Sequence, residues 1–156
     1  MPSPSPDILV IDARWPRRAL LRAQLIEEGY EVVATDEWVT AKSYLRLLLK
    51  PRLVIVDLQD LPFAEALLNE LLEMIKPARV LVIPALGTLT PDQLQKRGFH
   101  TIARPAIVAD IVAKVSALVP RRSTMDDGRS TTFSTFDFRP STLDHEECRP
   151  PLPTSS

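Results

Sequence analysis

The sequence predicts an α/β domain with a doubly wound, five-stranded parallel sheet over residues 7–119. Five short aliphatic runs alternate with segments of helical periodicity between Asp7 and Val119. Polar residues do not alternate with apolar ones inside these runs, which is typical of parallel strands covered by helices on both faces. Crossovers between such strands are right-handed, so the predicted elements form one layered domain.

Turn and stop residues set the bounds of each predicted element. Pro16 and Pro91 suit the first turn of a helix, Gly29 is a helix stop, and Pro51 halts the second helix. The predicted strands, in order, are residues 8–11, 31–34, 53–56, 80–83 and 101–103. The predicted helices are residues 16–28, 37–50, 63–76, 91–96 and 107–118. The buried face of the second helix is assigned to Val39, Tyr44, Leu45, Leu47 and Leu48.

Both ends of the chain differ in composition from this domain. Residues 1–6 alternate proline with serine or methionine, and from Pro120 onward serine, threonine, proline and charged residues dominate. Such segments recover little of the entropy lost on ordering, so we expect a disordered N-terminus over 1–6 and a disordered tail over 120–156. Three aromatic residues in the tail are candidate anchors for a groove of this domain or of a partner, the alternative being a simple spacer: Phe133, Phe136 and Phe138.

Composition excludes several classes of function. The formal net charge of -1 provides no global field that would attract nucleic acid or an anionic membrane. Apolar runs fall short of the roughly 18 residues that span a bilayer, and the N-terminus lacks the features of a secretory signal, so we expect a cytoplasmic protein. Cys148 is the single cysteine, which rules out a disulfide framework or a cysteine zinc cluster within the chain.

Carboxylates follow two of the predicted strands. Asp12 comes directly after the first strand, Asp57 after the third, and Pro84 after the fourth. Ligands of doubly wound sheets bind outside the carboxyl ends of the strands. The sequence therefore predicts a site at this edge of the sheet before its chemistry is known.

The strings ILVIDA, LVIVDL and IARP, in this order and spacing, resemble the CheY-like receiver domain of bacterial response regulators. The resemblance spans nearly all of residues 7–119 and implies a flavodoxin-like (βα)5 fold. It implies that Asp57 is the position that accepts phosphate from a histidine kinase. It also implies that Asp12 belongs to an acidic pair which, with Asp57, holds a magnesium ion.

Four positions depart from the pattern of that family. Ala13 replaces the second acid, so magnesium loses an oxygen ligand from a site that requires near-octahedral coordination, and any Mg²⁺ binding through Asp12 and Asp57 is expected to be weak. Pro84 replaces a small hydroxyl residue and cannot donate to a phosphoryl oxygen. The other two departures are Thr101 at a position that is commonly aromatic, and Arg104 in place of a lysine.

Arginines offer two further hypotheses. Arg104, with Arg14, is expected to pair with Asp57 and Asp12 and to neutralise them in place of the metal, the alternative being that both arginines lie at the rim with solvated head groups. Helical spacing predicts a basic stripe that docks an acidic partner, or else a solvated face balanced by glutamates: Arg17, Arg18 and Arg22.

Taken together, these features predict a receiver-like module of two-component phosphorelay type that acts mainly through protein–protein interaction, with impaired or absent phosphorylation. We expect it not to be an enzyme and to need no cofactor beyond weak magnesium. Expected partners are signalling proteins such as a histidine kinase or a phosphotransfer protein, without nucleic acid or membrane, and a homodimer is left open. The alternative is a response regulator phosphorylated at Asp57, and a more distant one is a flavodoxin-like binder of a small ligand.

Overall fold

A computed structural model describes residues 5–47 and 50–121. Its strands are β1 (Ile8–Ile11), β2 (Val32–Thr35), β3 (Leu53–Asp57), β4 (Val80–Ile83) and β5 (His100–Thr101). Its α-helices are α1 (Trp15–Glu27), α2 (Trp38–Leu47), α3 (Ala64–Met74), α4 (Pro91–Lys96) and α5 (Val108–Leu118). A 3-10 turn at Pro77–Arg79, which the sequence did not predict, leads into β4.

The five strands form one parallel sheet in the order β2-β1-β3-β4-β5. This confirms the predicted doubly wound α/β fold. Strands β1, β3 and β4 occupy the centre and are buried along their whole length, whereas the edge strands β2 and β5 include half-buried residues. The strand order reverses between β1 and β3, and in this topology the reversal opens a crevice at the carboxyl ends of those two strands.

Alternating side chains of the central strands enter two hydrophobic clusters, one on each face of the sheet. Leu9, Val54 and Val56 belong to the first cluster, which includes residues of α2, α3 and α4. Ile8, Val10 and Ile55 belong to the second, which includes residues of α1 and α5. Each fully buried leucine or isoleucine side chain stabilises the fold by roughly 1.5–3 kcal/mol. The two clusters therefore stabilise the strands that end at the site.

Two local predictions were wrong. On α2, Ala41 is the buried residue among those described, while Val39 and Leu47 are 71% and 74% exposed. The small Ala41 side chain lets the helix approach the sheet closely, and Leu45 packs beside it against the first cluster; Leu48 lies outside the described residues. Strand β5 begins one residue earlier than predicted and ends at Thr101, so Ala103 belongs to the following loop.

Candidate functional site: an aspartate pair covered by arginines

Asp12 and Asp57 lie side by side at the crevice between β1 and β3. The register pairs Ile11 with Val56, so the next residue of each chain segment is one of these two aspartates. Both carboxylates are buried, with 1% of each residue exposed. A buried carboxylate is costly unless it is paired with cations and hydrogen-bonded, so their partners determine what this site can do.

The turn between β1 and α1 brings two guanidinium groups onto Asp57. Arg14 Nη2 donates to Asp57 Oδ2 at 2.9 Å, and Arg17 Nη1 lies 2.8 Å from the same oxygen. Pro16 occupies the first turn of α1, where its missing N–H costs no helical hydrogen bond and its fixed φ suits a helix start. The two arginines are therefore about one helical turn apart and flank the same carboxylate oxygen.

A third guanidinium reaches Asp57 from the loop after β5. Arg104 Nη2 forms an ion pair with Asp57 Oδ1, and Arg104 Nε donates to the carbonyl oxygen of Pro84 at 2.7 Å. The backbone N–H of Gln59 also donates to Asp57 Oδ1, at 2.9 Å. Both oxygens of Asp57 thus have charge-assisted or backbone donors, and one side chain connects the ends of β3, β4 and β5.

Asp12 is less fully neutralised than Asp57. Its Oδ1 accepts from the backbone N–H of Arg14 at 2.9 Å, but the nearest guanidinium nitrogens, the Nε atoms of Arg14 and Arg17, are 3.8 Å and 3.7 Å away. Burial raises the pKa of Asp12 above its ordinary value, and the charge of Asp57 adds to this effect. Burial likewise lowers the pKa of Arg17. Arg18 Nη1 donates to the Asp12 carbonyl at 2.7 Å, which adds a fourth cation to the edge.

This donor set does not fit a resident magnesium ion. Magnesium requires oxygen ligands in near-octahedral geometry, and the lone pairs that Asp57 would offer already accept from guanidinium and backbone N–H groups. The Ala13 side chain contributes no oxygen and packs against the first hydrophobic cluster instead. Among the described residues, no cluster of three or more acidic, histidine or cysteine side chains could hold a metal.

The structure distributes the remaining candidate residues unevenly. Pro84 is buried beside the site and contributes its carbonyl, while the Thr101 hydroxyl accepts from Gln95 Nε2 at 3.3 Å, away from Asp57. In the predicted docking stripe, Arg17 contacts Asp57, Arg18 donates to the Asp12 carbonyl, and Arg22 is exposed. Docking of a partner on these residues stays a prediction. The tail aromatics Phe133, Phe136 and Phe138 lie outside the described residues.

Sequence reasoning missed Arg17 as a partner of Asp57. The signal was present in the spacing, since Arg17 follows Arg14 by three residues across a helix start that Pro16 defines. Reading α1 as an isolated amphipathic helix assigned Arg17 to a surface stripe. Its position in the first turn, next to the carboxyl end of β1, would have assigned it to the site.

Comparison with solved structures identifies proteins whose fold is similar to that of this chain. No protein-family model and no curated protein sequence matches the chain. Solved structures do match: the receiver domain of NtrX from Brucella abortus is 25% identical with a TM-score of 0.60, over 72% of this chain and 97% of that one. A longer NtrX chain from the same organism is 28% identical with a TM-score of 0.59, but the match covers only 26% of its length.

A third match supports the fold alone, because its identity is lower. The response regulator receiver domain protein from Clostridium thermocellum is 20% identical with a TM-score of 0.59, over 71% of this chain and 91% of that one. Within the described residues, no helix has both the length and the hydropathy to cross a membrane. The likenesses confirm the resemblance predicted from the strand-end motifs, and the chain carries the receiver-domain fold of response regulators, a module of two-component signalling.

Proposed function

We propose that this receiver-like module works through protein–protein contacts and that arginines, rather than a metal ion and a phosphoryl group, neutralise its aspartate site. The observation that carries this proposal is the contact of three guanidinium groups with the two oxygens of Asp57. In this arrangement the charge that a metal would supply is built into the chain. The module then keeps one conformation without a ligand.

Phosphorylation of Asp57 would require one of its oxygens to become free for in-line attack. Freeing Oδ2 breaks the contacts with Arg14 and Arg17, and freeing Oδ1 breaks those with Arg104 and the Gln59 N–H. A hydrogen bond to a charged group contributes about 1.5–3 kcal/mol, so two such losses amount to roughly 3–6 kcal/mol. Added to the barrier, this cost slows the transfer by about two to four and a half orders of magnitude.

The same cations also give a reason for the second candidate, a response regulator that is phosphorylated at Asp57. Arg14, Arg17 and Arg104 could stabilise the charge of a phosphoryl group once the carboxylate oxygen has reacted, as arginines do in other phosphoryl-transfer sites. In that case the guanidiniums would move from the carboxylate to the new phosphoryl oxygens. The two functions predict opposite outcomes with a small-molecule phosphodonor.

Acetyl phosphate with magnesium, followed by intact-mass measurement, separates them. We expect no adduct of about 80 Da on the unmodified chain. A combined variant, Ala13→Asp with Pro84→Thr and Arg104→Lys, restores an acid, a hydroxyl and a compact ammonium, and should gain the adduct if these groups are what is missing. A stoichiometric adduct on the unmodified chain that disappears in Asp57→Ala would establish the second candidate.

The partners of the module are signalling proteins, for which a histidine kinase or a phosphotransfer protein is the first choice. A metal-free, arginine-neutralised site predicts that binding of such a partner does not depend on a phosphodonor. We therefore expect equal binding of a candidate kinase before and after incubation with acetyl phosphate and magnesium. A change of more than about tenfold, which corresponds to 1.4 kcal/mol, would contradict the proposal.

A further inference from the structure

A second candidate interaction region lies on the face of the domain formed by α2 and α3. The start of α2, the loop after β3 and the first two turns of α3 enclose a groove of about 670 Å³. We call it the acid-rimmed groove. Its apolar lining includes Trp38, Val39, Leu61, Phe63 and Leu67, and its rim carries the carboxylates of Asp36, Glu37, Asp60 and Glu70.

The apolar part of the acid-rimmed groove is both anchored and open. Leu61 and Leu67 belong to the first hydrophobic cluster and are 9% and 2% exposed, so they fix the floor. Val39 and Phe63, in contrast, are 71% and 84% exposed. Large side chains exposed together beside a concave surface are typical of interaction sites.

The backbone at Phe63 also points to a function for this groove. Phe63 has a φ of 56° in the left-handed region, directly before α3. A bulky residue pays a steric cost in that conformation, and such positions cluster at ligand-contact regions. No burial of the ring compensates for this cost, because the side chain projects into solvent. A bound partner that covers the ring would bury apolar surface and so offset the steric cost of this backbone conformation.

The charges on the rim determine what kind of occupant fits. Within the described residues, the carboxylates of Asp36, Glu37 and Asp60 form no ion pair and no hydrogen bond, whereas Glu70 accepts from Trp38 Nε1 at 3.1 Å and pairs with Lys42 at 2.6 Å. Lysine and arginine are absent from the residues that line the groove. The local field therefore attracts cations and repels nucleic acid and anionic membranes.

We propose that the acid-rimmed groove binds a segment of a partner protein that inserts an apolar side chain against Phe63 and places lysine or arginine beside Asp36, Glu37 and Asp60. The inference rests on the proposed interaction role, but it uses residues outside the aspartate site. Failure of peptide binding would therefore contradict only this inference, whereas a phosphoryl adduct on Asp57 would contradict the proposed function of the aspartate site. The volume of the groove suits a few side chains of such a segment.

The test uses the isotope-labelled full chain and three synthetic helical peptides of about 12 residues: one of leucine and lysine, one with serine for leucine, and one with glutamate for lysine. The leucine–lysine peptide should bind and shift backbone amide resonances in residues 36–39 and 60–67. Its affinity should fall as salt concentration rises, because the rim charges are exposed and screened. The other two peptides should bind at least about tenfold more weakly.

Variants of the groove make the test specific. Phe63→Gly removes the ring while favouring the left-handed backbone, so the domain should stay folded and bind the leucine–lysine peptide about tenfold more weakly. Asp60→Asn, also at a positive φ of 65°, should weaken binding about twofold to fivefold. Leu86→Ser is the matched control, since Leu86 is 79% exposed but does not line this groove.

The proposal is overturned if Phe63→Gly binds the leucine–lysine peptide as tightly as Leu86→Ser does. It is also overturned if the shifted resonances lie outside residues 36–39 and 60–67, or if the serine–lysine peptide binds equally well. Absence of binding by the leucine–lysine peptide at about 1 mM has the same consequence, because even a dissociation constant of 1 mM corresponds to only about 4 kcal/mol of binding free energy.

Discussion

The substitution Asp57→Asn tests the charge balance of the site most directly. It keeps the size of the side chain and one acceptor oxygen, but Arg104 loses its counter-ion, and Arg14 and Arg17 keep only their longer contacts of 3.8 Å and 3.7 Å with Asp12. Arg17 and Arg104 have side chains only 15% and 17% exposed, so water hydrates their positive charges poorly, whereas the Arg14 side chain is 36% exposed and its charge is hydrated in part. Removing one partner of a buried ion pair costs roughly 3–5 kcal/mol. Because water screens the exposed part of Arg14, we take the lower end of this range and expect Asp57→Asn to lower the free energy of unfolding by about 3 kcal/mol.

Urea denaturation of the full chain measures this loss. With a slope near 2 kcal/mol per molar urea, a loss of about 3 kcal/mol lowers the midpoint by roughly 1.5 M. Asp60→Asn is the control, because Asp60 is an exposed carboxylate in the following loop and asparagine tolerates its left-handed backbone equally well. Its midpoint should change by less than about 0.3 M.

The direction of the stability change in Asp57→Asn distinguishes a metal site from an arginine-neutralised site. In a site built from clustered carboxylates to hold a metal, replacing one acid relieves like-charge repulsion and stabilises the metal-free protein. In an arginine-neutralised site the same replacement destabilises it. A midpoint for Asp57→Asn that is equal to or higher than that of the unmodified chain would refute the assignment of Arg14, Arg17 and Arg104 as replacements for a metal.

Three further predictions concern the same edge of the sheet. Magnesium chloride at about 10 mM should raise the melting temperature by less than about 1 °C, and a larger rise that Asp12→Asn abolishes would contradict this. Arg104→Gln should lower the free energy of unfolding by about 2 kcal/mol and speed amide exchange after β4, because its bonds to Asp57 and Pro84 are lost, while Arg22→Gln on the exposed face should do neither. Burial raises the pKa of Asp12, so the stability linked to its protonation is complete below its ordinary pKa of 3.8 and is lost as pH rises through the higher folded value. Asp12→Asn should therefore be at least as stable as the unmodified chain at pH 7, with the difference vanishing below about pH 4, and a lower melting temperature at pH 7 would contradict this.

The central sheet could be predicted from the sequence because its signal is local. Uninterrupted aliphatic runs such as residues 8–11 and 53–56 are too short for a helix and rich in β-branched residues, which favours strands buried on both faces, and the aspartates that end them then fall at one edge. The buried face of α2 could not be predicted in the same way. Its ten residues carry apolar side chains on several sides, and the choice of Ala41 depends on how closely the helix approaches the sheet.

The site was predicted in part for a related reason. Arg104 could be assigned from its position before Pro105, and Arg14 from its closeness to Asp12 along the chain. Arg17 required knowledge of where α1 starts relative to the sheet edge, which is a tertiary property. The acid-rimmed groove had no signal in the sequence, because its residues come from α2, the loop after β3 and α3, and none forms a motif.

The difference in ion pairing between Asp57 and Asp12 gives the strongest reason to expect that the site keeps one conformation. A phosphoryl group or a metal ion can shift a domain between two conformations only by the difference in its affinity for them. Here Asp57 already holds Arg104, which in turn holds the end of β4 through the Pro84 carbonyl, so the contacts that such a ligand would draw together are already made. Asp12 accepts one backbone hydrogen bond, and its guanidinium contacts are longer, at 3.8 Å and 3.7 Å, so burial raises its pKa. Any remaining sensitivity of this edge to its surroundings is therefore expected at Asp12 rather than at Asp57.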